Sequence, residues 1–193
     1  MSLLTLVKAG NITNLSDARY CAAMGVEIMG FPLGKSNSLA LDTLKIKELI
    51  GWLSGIKISL EIKDGYFDSS ELLDAIEVLK PDFLQLPISL VAEVRKLTTI
   101  PFIVESTTLI TFLSDNDYLL FSGKIELSNE ALVTYCKSNK VLLSAQSIEA
   151  STLLTIIKAI NPSGIELKGG NEIRPGLKSF DELAELFELL DVE

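Results

Sequence analysis

Residues 7–31 read VKAGNITNLSDARYCAAMGVEIMGF. The stretch leaves a short apolar run (LTLVKA, 4–9), passes through a polar turn and enters a helical pattern, which closes at Gly25 before a second apolar run (EIMGF, 27–31). Asn14 or Ser16 can cap the helix by accepting from its first free amides, Leu15 can staple it, and Gly25 can end it. Two extended runs joined through a capped helix form a β-α-β unit, which pairs its strands in parallel.

The same alternation continues outward from this unit. Further strand patterns are IKISLEI (56–62), DFLQL (82–86), PFIVES (101–106), DYLLFS (117–122), KVLLSA (140–145) and GIELK (164–168), which makes eight with the first two. Helical patterns lie between them. SSELLDAIEVLKP (69–81) offers Ser69 or Ser70 as cap, apolar Leu72, Leu73, Ile76 and Leu79 at helical spacing, and Pro81 as stop. SIEASTLLTIIKAINP (147–162) and SFDELAELFELLD (179–191) repeat the plan, the latter with Phe180, Leu183, Leu186, Phe187 and Leu190 on one face. TTLITFLSD (107–115), after the fifth strand, is only weakly helical. No linker or composition shift interrupts the series, so the expected fold is a single α/β domain over residues 1–193, a compact (β/α)8 TIM barrel near the lower size limit of such barrels. The rival, a doubly wound open sheet, usually carries a glycine fingerprint after its first strand, and KAGNIT lacks it.

Composition removes several kinds of chemistry. The net charge is −9, from 26 acidic and 17 basic residues, and the basic ones are scattered, which argues against nucleic acid as a partner. The opening apolar run breaks at Lys8, too short for a secretory signal or a membrane span, so a cytoplasmic protein without membrane attachment is expected. Cys21 and Cys136 fall in helical patterns and read as two buried free thiols. Histidine is absent, which excludes histidine-based triads and most zinc chemistry. Catalysis would have to run on carboxylates, lysines, hydroxyls or backbone amides, and no motif calls for a cofactor or a metal.

Three parts of the chain carry a resemblance. Residues 7–31 are similar to the opening of phosphoribosylanthranilate isomerases, where Lys-x-Cys-Gly-Ile-Thr precedes an Asp-Ala helix and a strand ending in Gly-Phe. GIELKGGNEIRPGLKSFDEL (164–183) resembles that family's last strand and loop, and KPDFLQL (80–86) its fourth strand. The resemblance implies the TIM-barrel fold and an Amadori rearrangement in tryptophan biosynthesis, an aldose-ketose isomerisation. That reaction needs an acid at the ribose ring oxygen and a base at C2′.

The same alignment shows what is missing. With Lys8 aligned to the family lysine, Gly10 stands where the family has its cysteine base, and Asn11 where it has glycine. The family's aspartate acid, at the end of strand six, is replaced by Phe121 or Ser122. Lys35 and Ser36 remain of a substrate-binding Lys-Ser-Pro-Arg, but Asn37 and Ser38 replace its last two residues. The glycine-rich phosphate loop after strand seven has become Ser144, Ala145, Gln146 and Ser147, and Pro87 follows Gln85 and Leu86 in place of a histidine. What survives is Lys8, Glu166 in place of an aspartate, and Lys168, Gly169, Gly170 and Asn171. Two glycines beside a lysine can offer amides and charge to a phosphate.

Lys8 and Glu166, on strands adjacent in a closed barrel, are expected to form an interior ion pair, with a purely structural role the better reading. Glu61 and Glu105 end strands three and five. They either face the pocket or, the better reading, are solvated at the rim or paired with Lys57, Lys63 or Lys124. The candidate site is therefore Lys8 and Glu166 as catalytic positions; Asn11, Lys35, Ser36, Glu61, Glu105 and Ser122 toward a substrate; and Ser144, Gln146, Lys168, Gly169 and Gly170 toward a phosphate. The favoured expectation is an isomerase-like barrel without the isomerase chemistry, a monomer or homodimer whose partner is a small molecule, with phosphorylated compounds among the candidates. The alternative is an active isomerase with Glu166 as acid and Lys8 or Glu61 as base.

Overall fold

In a computed structural model, the alternating apolar runs and helices close into a barrel of eight parallel strands; the structure describes residues 2–34, 40–65, 68–168, 172–174, 177–178 and 181–192. The strands are β1 (Leu6–Gly10), β2 (Ile28–Leu33), β3 (Lys57–Ile62), β4 (Phe83–Pro87), β5 (Phe102–Ser106), β6 (Tyr118–Phe121), β7 (Val141–Ser144) and β8 (Gly164–Lys168). They pair in chain order, and β8 returns to β1 in register from Leu6 opposite Gly164 to Gly10 opposite Lys168. A short antiparallel pair, β9 (Glu172–Arg174) and β10 (Leu177–Lys178), follows the last barrel strand.

The connecting helices are α1 (Leu15–Ala23), α2 (Thr43–Ile50), α3 (Ser69–Leu79), α4 (Val91–Val94), α5 (Glu130–Cys136), α6 (Leu153–Ile160) and α7 (Asp181–Leu190). Asn14 caps α1 by accepting from the Asp17 amide at 2.9 Å. The cap of α3 is Asp68 rather than Ser69 or Ser70. Its Oδ1 accepts from the amides of Ser70 and Glu71 at 2.9 and 3.2 Å, which leaves both serines free to be helical. As its weak pattern implied, 107–115 forms no helix. The start of β5 is instead tied to the start of β6 by Asp117, which accepts from the Phe102 amide at 2.7 Å, the Ser114 amide at 2.9 Å and Arg95 Nη2 at 2.6 Å. Cys21 is buried, but Cys136, at the end of α5, is only half-buried; neither is disulfide-bonded. No helix among the described residues is long and apolar enough to cross a membrane.

Two apolar clusters divide the core. The larger holds the strand residues that face outward toward the helices, with Leu72, Ala75 and Leu79 of α3 and Ile156, Ile157 and Ile160 of α6 among their partners. The smaller, Ile28, Phe83, Ile103, Leu120 and Leu142 with Leu6 and Tyr118 beside them, comes from strand positions of the opposite parity and plugs the barrel interior at its N-terminal end. That plug is the floor on which the inward-facing residues at the other end stand.

Candidate functional site

Side chains two residues apart on a strand share a face, so the next inward positions follow from the floor by counting. From Leu6, Ile28, Phe83, Ile103, Leu120 and Leu142 the count reaches Lys8, Gly30, Gln85, Glu105, Ser122 and Ser144. Glu61 joins this ring through its register with Gln85, and Glu166 through its register with Ser144 and Lys8. No member of the ring has an apolar side chain. An apolar floor under a polar ring at the C-terminal ends of the strands is the arrangement that places active sites in barrels of this class. The same count settles the end of β6: Ser122 faces inward, whereas Phe121 packs into the outer core.

Lys8 lies at the centre of the ring. It is fully buried, with Nζ donating to Glu61 Oε1 at 2.7 Å and to Glu166 Oε1 at 2.8 Å. The pair expected from the sequence is thus present as part of a three-member cluster, and Glu61 pairs with Lys8 rather than with Lys57, Lys63 or Lys124. Burial alone would strip Lys8 of its proton, but the charges of Glu166 and Glu61 outweigh it and hold the ammonium protonated well above the ordinary lysine range. Burial likewise works to raise the pKa of Glu166. The charges of Lys8 and Lys168, with the hydrogen bond from Lys8, win and hold the carboxyl below its ordinary range. At neutral pH, therefore, Lys8 has no lone pair with which to accept a proton, and Glu166 has no proton to donate.

Two glycines make room for the cluster. Glu61 is on β3 and Lys8 on β1, so the Glu61 carboxylate crosses the intervening β2, and it does so over Gly30. A Cβ at Gly30 would lie 1.9 Å from Glu61 Oε1 and 2.8 Å from Lys8 Nζ, so a side chain there would force these head groups out of their present positions. At Gly10 a Cβ would meet Glu61 Oε1 at 2.9 Å, Glu166 Oε1 at 3.1 Å and Lys8 Nζ at 3.3 Å. Asn11 then turns the chain out of β1 in the left-handed region, at φ 56°, which asparagine tolerates better than most residues. Its amide donates to the second Glu61 oxygen at 3.0 Å. The first loop and the cluster are one interlocked unit.

The mouth above the cluster is more open. The Glu105 side chain is 39% exposed and that of Lys168 20% exposed, with Lys168 Nζ 3.9 Å from Glu105 and 3.5 Å from Glu166 Oε2. Ser144 is buried and Gln146 exposed. Ser147 donates from Oγ to the Ser122 carbonyl at 3.3 Å, joining the loop after β7 to the end of β6. Lys35, Ser36, Gly169 and Gly170 lie outside the described residues. Sequence reading missed Gly30 and Gln85 as members of the site. The signal for Gly30 was a glycine inside a strand, where backbone or side chains from elsewhere often approach closely.

These features define a (β/α)8 barrel with a buried charged cluster at the C-terminal ends of its strands, reaching solvent at Glu105 and Lys168. Several of the solved structures it resembles are phosphoribosylanthranilate isomerases. TrpF from Jonesia denitrificans superposes with a TM-score of 0.73 at 16% identity, over 95% of each chain. The isomerase from Thermus thermophilus gives 0.70 at 22% identity, over 95% of this chain and 96% of its own. A phosphoribosylanthranilate isomerase in complex with reduced 1-(o-carboxyphenylamino)-1-deoxyribulose 5-phosphate gives 0.72 at 16% identity, over 95% and 97%. The fold is therefore shared along nearly the whole length. No protein-family model matches the chain, and no curated protein matches it in sequence.

Proposed function

We propose that this chain is a divergent phosphoribosylanthranilate isomerase-like barrel that has given up the Amadori chemistry and uses the barrel mouth to bind a small molecule. One observation carries the reading. Where the family resemblance calls for a cysteine base, the chain has Gly10, and the space a side chain would enter there is taken by the Lys8, Glu61 and Glu166 head groups. Of the two substitute bases the sequence offers, Lys8 is held protonated, and both oxygens of Glu61 are already engaged, one by Lys8 and the other by the Asn11 amide. Ser122, inward at the end of β6 where the resemblance calls for an aspartate, is no acid near neutral pH.

Substrate electrostatics support the same conclusion. The ring and mouth carry three carboxylates, Glu61, Glu105 and Glu166, against two ammonium groups, Lys8 and Lys168, and Lys8 is spent internally. A phosphorylated aminobenzoate, with a phosphate and a carboxylate, would enter a site with a negative balance. Among the described residues Lys168 is the cation in the mouth that remains to meet an anionic group on a smaller ligand. We assign the protein to the cytoplasm, as a monomer or homodimer. The test is genetic: expressed in a bacterium that lacks the isomerase, the chain leaves the cells dependent on added tryptophan, whereas growth without it would restore the reading of an active enzyme.

A further inference from the structure

Three polar groups inside the barrel, Ser59 two residues before Glu61 on β3 and the ring members Gln85 and Glu166, are nine-tenths or more buried yet have an atom without a hydrogen-bond partner among the described residues: Ser59 Oγ, Gln85 Oε1 and Glu166 Oε2. Two of these are pure acceptors, on the opposed strands β4 and β8, and Glu105 adds a second carboxylate, without a hydrogen bond among the described residues, its Oε1 3.9 Å from Lys168 Nζ. A buried acceptor without a donor costs free energy, so these groups are short of N–H donors, not of further acceptors. Lys168 only half meets the need. It reaches across the mouth from β8 toward β5, but at 3.5 Å from Glu166 Oε2 and 3.9 Å from Glu105 Oε1 it supplies charge without a hydrogen bond to either.

We infer that the barrel mouth is a binding site for small molecules bearing a protonated primary amine, which displace the Lys168 head group from between Glu105 and Glu166. An ammonium carries three donors and matches the acceptor set of Glu166 Oε2, Gln85 Oε1 and the Glu105 carboxylate. The displaced Lys168, at the rim, is then free to pair with an anionic group on the same ligand. The inference rests on the proposal that the mouth binds a small ligand and narrows that ligand's chemistry.

The experiment is an amide-resolved NMR titration of the full chain with ethylammonium chloride, with potassium chloride at matched ionic strength and sodium phosphate as separate arms. Ethylammonium is expected to move the Gln85 side-chain amide signal saturably, with potassium leaving it in place. Glu105→Gln is expected to weaken the binding about tenfold through loss of a charge-assisted contact, and Lys168→Ala to strengthen it by removing the internal competitor. Equal responses to ethylammonium and potassium would overturn the amine site. Saturable binding of phosphate alone would overturn it while leaving a ligand-binding mouth intact. No response in any arm would overturn both readings.

Discussion

Replacing Lys8 with methionine isolates what the buried cluster contributes. Methionine is similar in length, so little packing is lost, but Glu61 and Glu166 are left facing each other without the ammonium that holds them at 2.7 and 2.8 Å. Two charge-assisted hydrogen bonds at about 1.5–3 kcal/mol each bound the loss at roughly 3–6 kcal/mol. Breaking a buried pair by removing one partner costs about 3–5 kcal/mol, which agrees. At about 2–4 °C per kcal/mol for a chain of this size, Tm should fall by roughly 6–20 °C.

The pH dependence provides an internal control. In the parent chain Glu166 has a depressed pKa, so its stabilising contribution is full above the unfolded carboxylate range and disappears as pH falls through the lower folded value. The Lys8 pKa is raised, so its contribution is full below the unfolded lysine value and is lost only as pH rises through the higher folded one. Between pH 5 and 8 these two groups leave the parent's stability flat. In Lys8→Met, burial of Glu166 is opposed only by the charge of Lys168, its pKa rises, and stability should increase as pH is lowered from 8 to 5. Urea unfolding of both proteins at several pH values checks this. A loss under 1 kcal/mol with a flat pH profile in the variant would refute the cluster as described.

Two further predictions follow from the same geometry and its surroundings. Gly30→Ala should destabilise by about 1–3 kcal/mol, because its Cβ would fall 1.9 Å from Glu61 Oε1, and Glu61→Ala in the same chain should recover much of that loss; purely additive unfolding energies would contradict the crossing over β2. Burial pushes the Cys136 thiol up to about 11, so its alkylation by iodoacetamide at pH 8, followed by peptide mapping, should run roughly 10- to 100-fold slower than that of an ordinary thiol; an ordinary rate would contradict the packing at the end of α5.

The fold was legible because its physics is local and repetitive. Each of the eight barrel strands occurs within two residues of an apolar run visible in the sequence, and α1 begins at a cap that Asn14 announces. At α3 two serines drew attention from Asp68, which is the better acceptor because one oxygen serves two amides. The site was legible in part. Period-two alternation puts Lys8 and Glu166 on one face, and barrel closure makes them neighbours. The role of Glu61 was not legible, because it depends on a carboxylate crossing a strand, and only coordinates show that Gly30 lets it pass. The same holds for the unpartnered oxygens of Gln85 and Glu166, which reflect distances rather than residue types.

The central claim is that a structural ion cluster stands where isomerase chemistry would have to occur. General acid and general base assistance are each worth about 10²–10⁴ in rate, so a barrel without both should fall about 10⁴–10⁸ below an equipped one. The direct measurement is a fluorescence assay of phosphoribosylanthranilate turnover with the purified chain at neutral pH. The expected rate is indistinguishable from that of the protein-free control. Turnover that is lost in Glu166→Gln or Lys8→Met variants shown to remain folded would contradict it.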